Sequence, residues 1–220
     1  MNTPISRATF DLSLYLVLDP DMCGGVAGMV RVTEAALNGG VTVVQLRAQG
    51  WRKRAFWDAA RALQPLCRSH RVPFLINDHI DVALAIDADG VHVGQKDLPA
   101  TEARRLLGDQ KIVGVSVSNA QEWRDAEAGT ADYIGVGPVW LTATKPEAGP
   151  ALGVDGLRAL LASMKTPTTT LRTVAIGGID VNKARDVMRA GVDGIAVVSA
   201  ICASNAPEEA ARALCEVIGG

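Results

Sequence analysis

No apolar run near the start of this chain is long enough for a signal-peptide core or a membrane span; the best is Leu14–Leu18, five residues. A membrane anchor is therefore not expected, and the run reads instead as a first β-strand of a cytoplasmic protein. Polybasic stretches are missing too. With 22 basic against 24 acidic residues the net charge is −2, which argues against nucleic acid or an anionic membrane as a general partner. The four cysteines (Cys23, Cys67, Cys202, Cys215) have no CxxC spacing, so reduced thiols are expected rather than a disulfide or a zinc site. Three histidines, His70, His79 and His92, form no ligand pair and complete no Ser/His/Asp set. No linker composition interrupts the chain, and no GxGxxG follows the first apolar run.

What is present is an alternation. Short runs rich in β-branched residues stand at 13–19, 41–47, 73–78, 90–94, 111–117, 133–137, 173–178 and 194–200. Between them lie amphipathic stretches such as WRKRAFWDAARALQPLCRSH and DHIDVALAIDA, and PEEAARALCEVIGG follows the eighth run. Strict alternation predicts a parallel sheet, and eight repeats predict closure into an α/β (β/α)8 TIM barrel rather than a doubly wound sheet, which would normally carry the missing glycine fingerprint. The 220 residues are expected to form a single domain, 1–220. A quasi-repeat supports reuse of one unit: DADGVHVG, TADYIGVG and GVDGIAVVS each set an acid before an alternating Gly/Val/Ile strand.

In such a barrel the active site is built on the loops after the strands. Strand two ends in Gln45 and Arg47, strand three in Asn77 and Asp78, and the loop after strand four carries Asp97. Two carboxylates at neighbouring strand ends suit Mg2+, which takes one or two and fills its shell with water and phosphate oxygens. Equally, Asp78 and Asp97 suit helix caps. Arg47 and Lys145 add positive charge, so the set describes an anion, best a polyphosphate; taken singly, Arg47 suits a salt bridge in the barrel mouth and Lys145 an ordinary exposed loop lysine. Gly177, Gly178, Val198 and Ser199 lie where loops of this fold commonly bind phosphate, although a Gly-Gly pair also serves a tight turn. Trp51, Trp57 and Trp123 read as helix packing, and Trp140 as a candidate cover over a substrate.

The series VTVVQLRAQ, PFLINDHIDVALAIDADGVHVGQKD, IVGVSVSN, YIGVGPVWLTATK and AIGGI through GIAVVSAI is similar in order and spacing to the thiamine-phosphate synthase family, from about Leu14 to Ile201. Asn77-Asp78 followed by GQKD, and Thr142-x-Thr144-Lys145, are its most specific parts. The resemblance implies transfer of an aminopyrimidine group from its hydroxymethyl diphosphate to the nitrogen of a thiazole phosphate, with small-molecule substrates as the partners. It implies Mg2+ on Asp78 and Asp97, diphosphate on Arg47, Asn77 and Lys145, and pyrimidine along Gln45 and Ser116. Thr142 and Thr144 would face the thiazole phosphate, with backbone donors at Gly178, Val198 and Ser199.

The chain departs from that pattern in places. Gln49 stands where the family usually has Lys, leaving Lys53 or Arg52 to replace the lost charge near the diphosphate. Lys96 stands at a usually acidic place, Ser118 replaces a common His, and KTPTTTLRT (165–173) is longer and more polar than usual. Rival readings are a thiazole tautomerase, which would need a catalytic His near strand five or six, and a phosphate-binding barrel without catalysis. A homo-oligomer is compatible with the sequence, which does not specify one.

Overall fold

The computed structural model describes residues 7, 10–142, 144, 149–164 and 171–219. Eight parallel strands close into a barrel in sequence order. In chain order the elements are β1 (Leu14–Leu18), α1 (Pro20–Cys23), α2 (Gly25–Asn38), β2 (Val43–Leu46), α3 (Lys53–His70), β3 (Phe74–Asn77), α4 (Ile80–Ile86), β4 (Gly90–Val93) and α5 (Ala100–Leu107). They continue with β5 (Ile112–Val117), α6 (Ala120–Ala128), β6 (Tyr133–Val136), α7 (Gly153–Met164), β7 (Arg172–Ile176), α8 (Val181–Met188), β8 (Gly194–Val197), α9 (Ser199–Cys202) and α10 (Pro207–Gly219).

Each apolar strand run serves two cores because successive side chains point to opposite faces. Along β1, Leu14, Leu16 and Leu18 join the large cluster between strands and helices, whereas Tyr15 and Val17 join a smaller one with Val43, Leu75, Ile112, Tyr133, Val174 and Ala196. The smaller cluster is the barrel interior. Phe10 and Leu12 belong to it and close its lower end. Arg172 holds that plug, its guanidinium 4.0 Å from the Phe10 ring centroid and donating to the Phe10 carbonyl at 2.5 Å.

The acid of the quasi-repeat has a structural cause. Asp89 Oδ2 accepts from Phe74 N at 2.8 Å, Asp132 Oδ2 from Val113 N at 2.8 Å, and Asp193 Oδ2 from Thr173 N at 2.7 Å. In each pair the backbone returns the bond, for example Asp193 N to Thr173 O at 2.8 Å. An aspartate before each of β4, β6 and β8 thus satisfies a buried N–H at the start of the preceding strand, where an orphaned donor is costly. Thr42 does the same before β2, its Oγ1 accepting from Leu14 N at 3.1 Å.

Two details differ from the sequence expectation. The eighth strand stops at Val197, not residue 200, because Val198 (φ −116°, ψ −81°) leaves the extended region and Ser199 begins α9. The other short helix, α1, was also absent from the expected pattern; Asp19 caps it by accepting from the N–H groups of Asp21 and Met22. No helix among the described residues is long and apolar enough to cross a membrane.

Candidate active site

At the C-terminal ends of the strands lies a cavity of about 550 Å³, within the range of small-molecule sites. Gln45, Arg47, Gln49, Asn77, Asp78, Asp97, Ser116, Thr142, Thr144, Gly178, Val198 and Ser199 all line it. The sequence-derived set therefore meets on one surface, apart from Lys145, which lies outside the described residues, as do 165–170 of the polar segment.

Asp78 follows β3 in a left-handed conformation (φ +59°), one that Asp tolerates better than most residues, and its N–H is held by the His92 carbonyl at 2.9 Å. Asp97 Oδ2 accepts from Gly94 N at 2.8 Å and closes the turn after β4. Neither caps a helix: the residue before α4 is His79 and that before α5 is Pro99, each without a side-chain capping bond. The capping alternative is thereby corrected, and both carboxylates remain at the cavity. Among the described residues no three His, Cys, Asp or Glu side chains stand together as a metal cage. The donor set, two hard carboxylates beside an open cavity, instead fits a cation such as Mg2+ that draws its remaining oxygens from water and phosphate.

Positive charge is distributed differently from expectation. Lys53, named with Arg52 as the replacement for the charge missing at Gln49, pairs with Asp81 at 2.7 Å, and neither it nor Arg52 lines the cavity. Lys96 does. Arg47 Nη1 donates to the Thr144 carbonyl at 3.0 Å, joining the end of β2 to the loop after β6. In that loop the hydroxyls of Thr142 and Thr144 are 2.8 Å apart. Ser118 does not stand as an isolated polar group: its N–H and hydroxyl reach Glu122 Oε2 at 2.6 and 2.9 Å, and Glu122 also lines the cavity.

Opposite the carboxylates, Gly177 (φ +110°) and Gly178 (φ +63°) require glycine for their backbone angles and for space. A Cβ on Gly178 would stand 2.8 Å from the Trp140 Cβ, and Trp140 N donates to the Gly177 carbonyl at 3.0 Å. Trp140 thus packs beneath this turn, with Lys183 5.1 Å from its ring centroid, and is not among the cavity-lining residues; the expectation of a cover is corrected. Lys183 also donates to the Gly178 carbonyl at 2.8 Å. The turn after β7 brings Gly177 and Gly178, which have no side chains, to this part of the wall.

The floor holds residues that sequence reasoning passed over. Tyr15 and His92 line the cavity, and His92, set aside with the other histidines, bridges Tyr133 and Ser116. The available signal was a polar residue at an inward-facing position of an alternating strand: Tyr15 two residues before Val17, and His92 between Gly90 and Gly94. His79 lies outside the lining; burial first, then Lys53, holds its imidazole below the ordinary value, and its ring meets Phe56 edge-on at 4.7 Å.

A family model described as thiamine monophosphate synthase matches residues 14–201. The chain is 54 % identical over 208 residues to a thiamine-phosphate synthase of Laribacter hongkongensis, covering 94 % of this chain and 96 % of that one. It is 48 % identical over 204 residues to a thiamine-phosphate synthase of Chloroflexus aurantiacus, covering 93 % and 91 %. Among solved structures, thiamine phosphate pyrophosphorylase from Pyrococcus furiosus superimposes with a TM-score of 0.84 at 34 % identity over 97 % of both chains.

Proposed function

The chain belongs to the thiamine monophosphate synthase family, and on that premise we propose that it joins 4-amino-2-methyl-5-hydroxymethylpyrimidine diphosphate to thiazole phosphate, giving thiamine phosphate and diphosphate. One observation carries the assignment to this cavity: Arg47, Asn77, Asp78 and Asp97 line the same space as Thr142, Thr144, Gly178, Val198 and Ser199. This supports a reading in which each of two anionic groups takes its own wall, with the reacting atoms between them.

Arg47, Asn77 and Lys145 hold the diphosphate, with Gln49 and Lys96 beside it. Asp78 and Asp97 are the residues to hold Mg2+, which when bound supplies neutralisation of charge on a phosphate leaving group. Gln45 and Ser116 orient the pyrimidine from the floor. Departure of diphosphate breaks the bond from the exocyclic methylene carbon to oxygen and takes both electrons, leaving a cation delocalised into the aminopyrimidine. The thiazole nitrogen, placed by its phosphate on Thr142, Thr144 and the Gly178, Val198 and Ser199 backbone, forms the new C–N bond with its lone pair. The protein needs no nucleophile of its own. Its work is positioning and electrostatic stabilisation of growing negative charge, the two contributions that dominate such transfers.

The test is stoichiometric. Both substrates with Mg2+ should yield thiamine phosphate and diphosphate in equal amounts, and neither substrate alone should yield either. Conversion of the thiazole phosphate by itself, with no diphosphate formed, would assign the cavity to a tautomerase.

A further inference from the structure

A continuous hydrogen-bonded chain crosses the barrel interior beneath the cavity. Gln45 Nε2 on β2 donates to the Tyr15 hydroxyl at 2.6 Å. The Tyr15 and Tyr133 hydroxyls are 2.8 Å apart, Tyr133 meets His92 Nδ1 at 2.8 Å, and His92 Nε2 meets Ser116 Oγ at 2.9 Å. Five side chains from β2, β1, β6, β4 and β5 thus link two cavity-lining residues, Gln45 and Ser116, through an interior that also holds the apolar side chains of Val17, Val43, Leu75, Val174 and Ala196.

The backbone is arranged to admit these rings. A Cβ on Gly114 would lie 2.1 Å from Tyr133 Cζ, and one on Gly135 would lie 3.2 Å from His92 Cε1. Glycines on β5 and β6 occupy the space that β-branched residues fill elsewhere in the strands. Burial raises the phenol of Tyr133 well above its ordinary value and that of Tyr15 as well, so both hydroxyls keep their protons.

Each hydroxyl has one proton, and an amide N–H can only donate. Tyr15 accepts from Gln45, so its proton goes to Tyr133. Tyr133 then gives its proton to His92 Nδ1. A neutral imidazole that accepts at Nδ1 carries hydrogen on Nε2, which donates to Ser116 Oγ. The Ser116 proton is left to point into the cavity, and Gln45 keeps its carbonyl oxygen as an acceptor. We propose that Tyr15, Tyr133 and His92 are positioning residues that fix the polarity of the cavity floor, making Ser116 a donor and Gln45 an acceptor toward the bound ring. A ligand that fits has a ring-nitrogen lone pair toward Ser116 and an N–H toward Gln45, the pattern of an aminopyrimidine. The reversed chain would present the opposite pattern, a lone pair from Ser116 and N–H groups from Gln45. This inference rests on the transferase reading for the identity of its ring ligand, but the direction of the chain is a property of the protein alone.

The experiment reads the imidazole tautomer of His92 by long-range proton–nitrogen correlation on the 15N-labelled full chain without substrate, then with the pyrimidine diphosphate. Hydrogen on Nε2 in both states is the expected result; hydrogen on Nδ1 overturns the proposal. Tyr133→Phe removes the donor to Nδ1 while preserving most ring volume. Its expected effects are loss of the single fixed tautomer and a rise of about tenfold in KM for the pyrimidine diphosphate, with KM for the thiazole phosphate unchanged. An unchanged tautomer with equal changes in both KM values would make Tyr133 merely structural and also overturn it. Tyr15→Phe repeats the test if the first variant does not fold. Of two aminopyridine diphosphates lacking one or other ring nitrogen, one should lose about tenfold affinity in the unmodified protein and nothing in Ser116→Ala; equal loss in both proteins is the contrary result. Absence of any transferase turnover with His92 protonated on Nε2 would refute the assigned reaction and leave the relay intact, whereas turnover with hydrogen on Nδ1 would do the reverse.

Discussion

Gly114→Ala places a methyl group where the barrel has no room. The new Cβ would stand 2.1 Å from Tyr133 Cζ, 2.3 Å from Cε1 and 2.4 Å from the hydroxyl oxygen. Relaxed carbon contacts need roughly 3.5 Å, so the ring must move on the order of 1.4 Å. It is fully buried, with ring centroids of Phe10, Tyr15 and His92 at 5.9, 5.8 and 5.5 Å, and so has nowhere to retreat. Overpacking of this kind costs about 1–3 kcal/mol. Loss of the two hydrogen bonds at the Tyr133 hydroxyl adds about 1 kcal/mol each. The expected destabilisation is about 3–5 kcal/mol, a large part of the roughly 5–15 kcal/mol that holds a typical domain folded. Urea unfolding of the variant and the parent, compared at equal m-values, measures it. Tyr133→Leu should absorb much of the cost in the double variant, because the smaller side chain leaves space for the methyl group. A cost under about 1 kcal/mol for Gly114→Ala, or strict additivity with Tyr133→Leu, would refute the packing argument.

Because Lys96 lines the cavity while Lys53 is paired with Asp81 at 2.7 Å, Lys96→Ala should weaken pyrimidine diphosphate binding about tenfold and Lys53→Ala and Arg52→Ala should not. Equilibrium titration decides, and the opposite ranking would return the missing charge to the start of α3. Gln49→Lys in the Lys96→Ala background should restore the lost affinity; no recovery would mean that Gln49 does not approach the diphosphate. Lys145→Ala should lower kcat about 10²-fold, or about 2.7 kcal/mol, through the departing diphosphate; an unchanged kcat with only a raised KM for the thiazole phosphate would reassign it. Asp193→Ala removes the acceptor for Thr173 N and Oγ1, at 2.7 and 2.8 Å, from a fully buried residue. It should cost about 2–4 kcal/mol in urea unfolding with kcat unchanged in the protein that remains folded; a kinetic defect at full stability would place the repeat in the chemistry instead.

The barrel was legible because its strands announce themselves twice, by β-branched composition and by regular alternation with helices. Four-residue elements escaped that logic. Pro20–Cys23 and Ser199–Cys202 are too short to show a period, and Val198 continues the apolar run of β8 although its backbone turns away. At the site, residues just past strand ends could be named in advance since the fold sends them all to one rim. Partnerships across elements could not. Nothing near Lys53 in sequence signals that Asp81, from α4, will claim its charge, and nothing about His92 alone signals Tyr133 and Ser116 on two other strands. The aspartates of the quasi-repeat were visible as a pattern, while their purpose, satisfying N–H groups on the preceding strand, emerges only from the register of the sheet.

Asp78 and Asp97 are proposed to make release of diphosphate in this cavity dependent on a divalent cation. Rapid-quench measurement of diphosphate formed in a single turnover, with both substrates bound, tests it in the parent chain and in Asp97→Asn, each with Mg2+ and with excess EDTA. The expected result is a fast burst only for the parent with Mg2+, and a variant that stays folded yet loses most of that burst. Equal bursts with Mg2+ and with EDTA, or an Asp97→Asn variant that matches the parent, would contradict it.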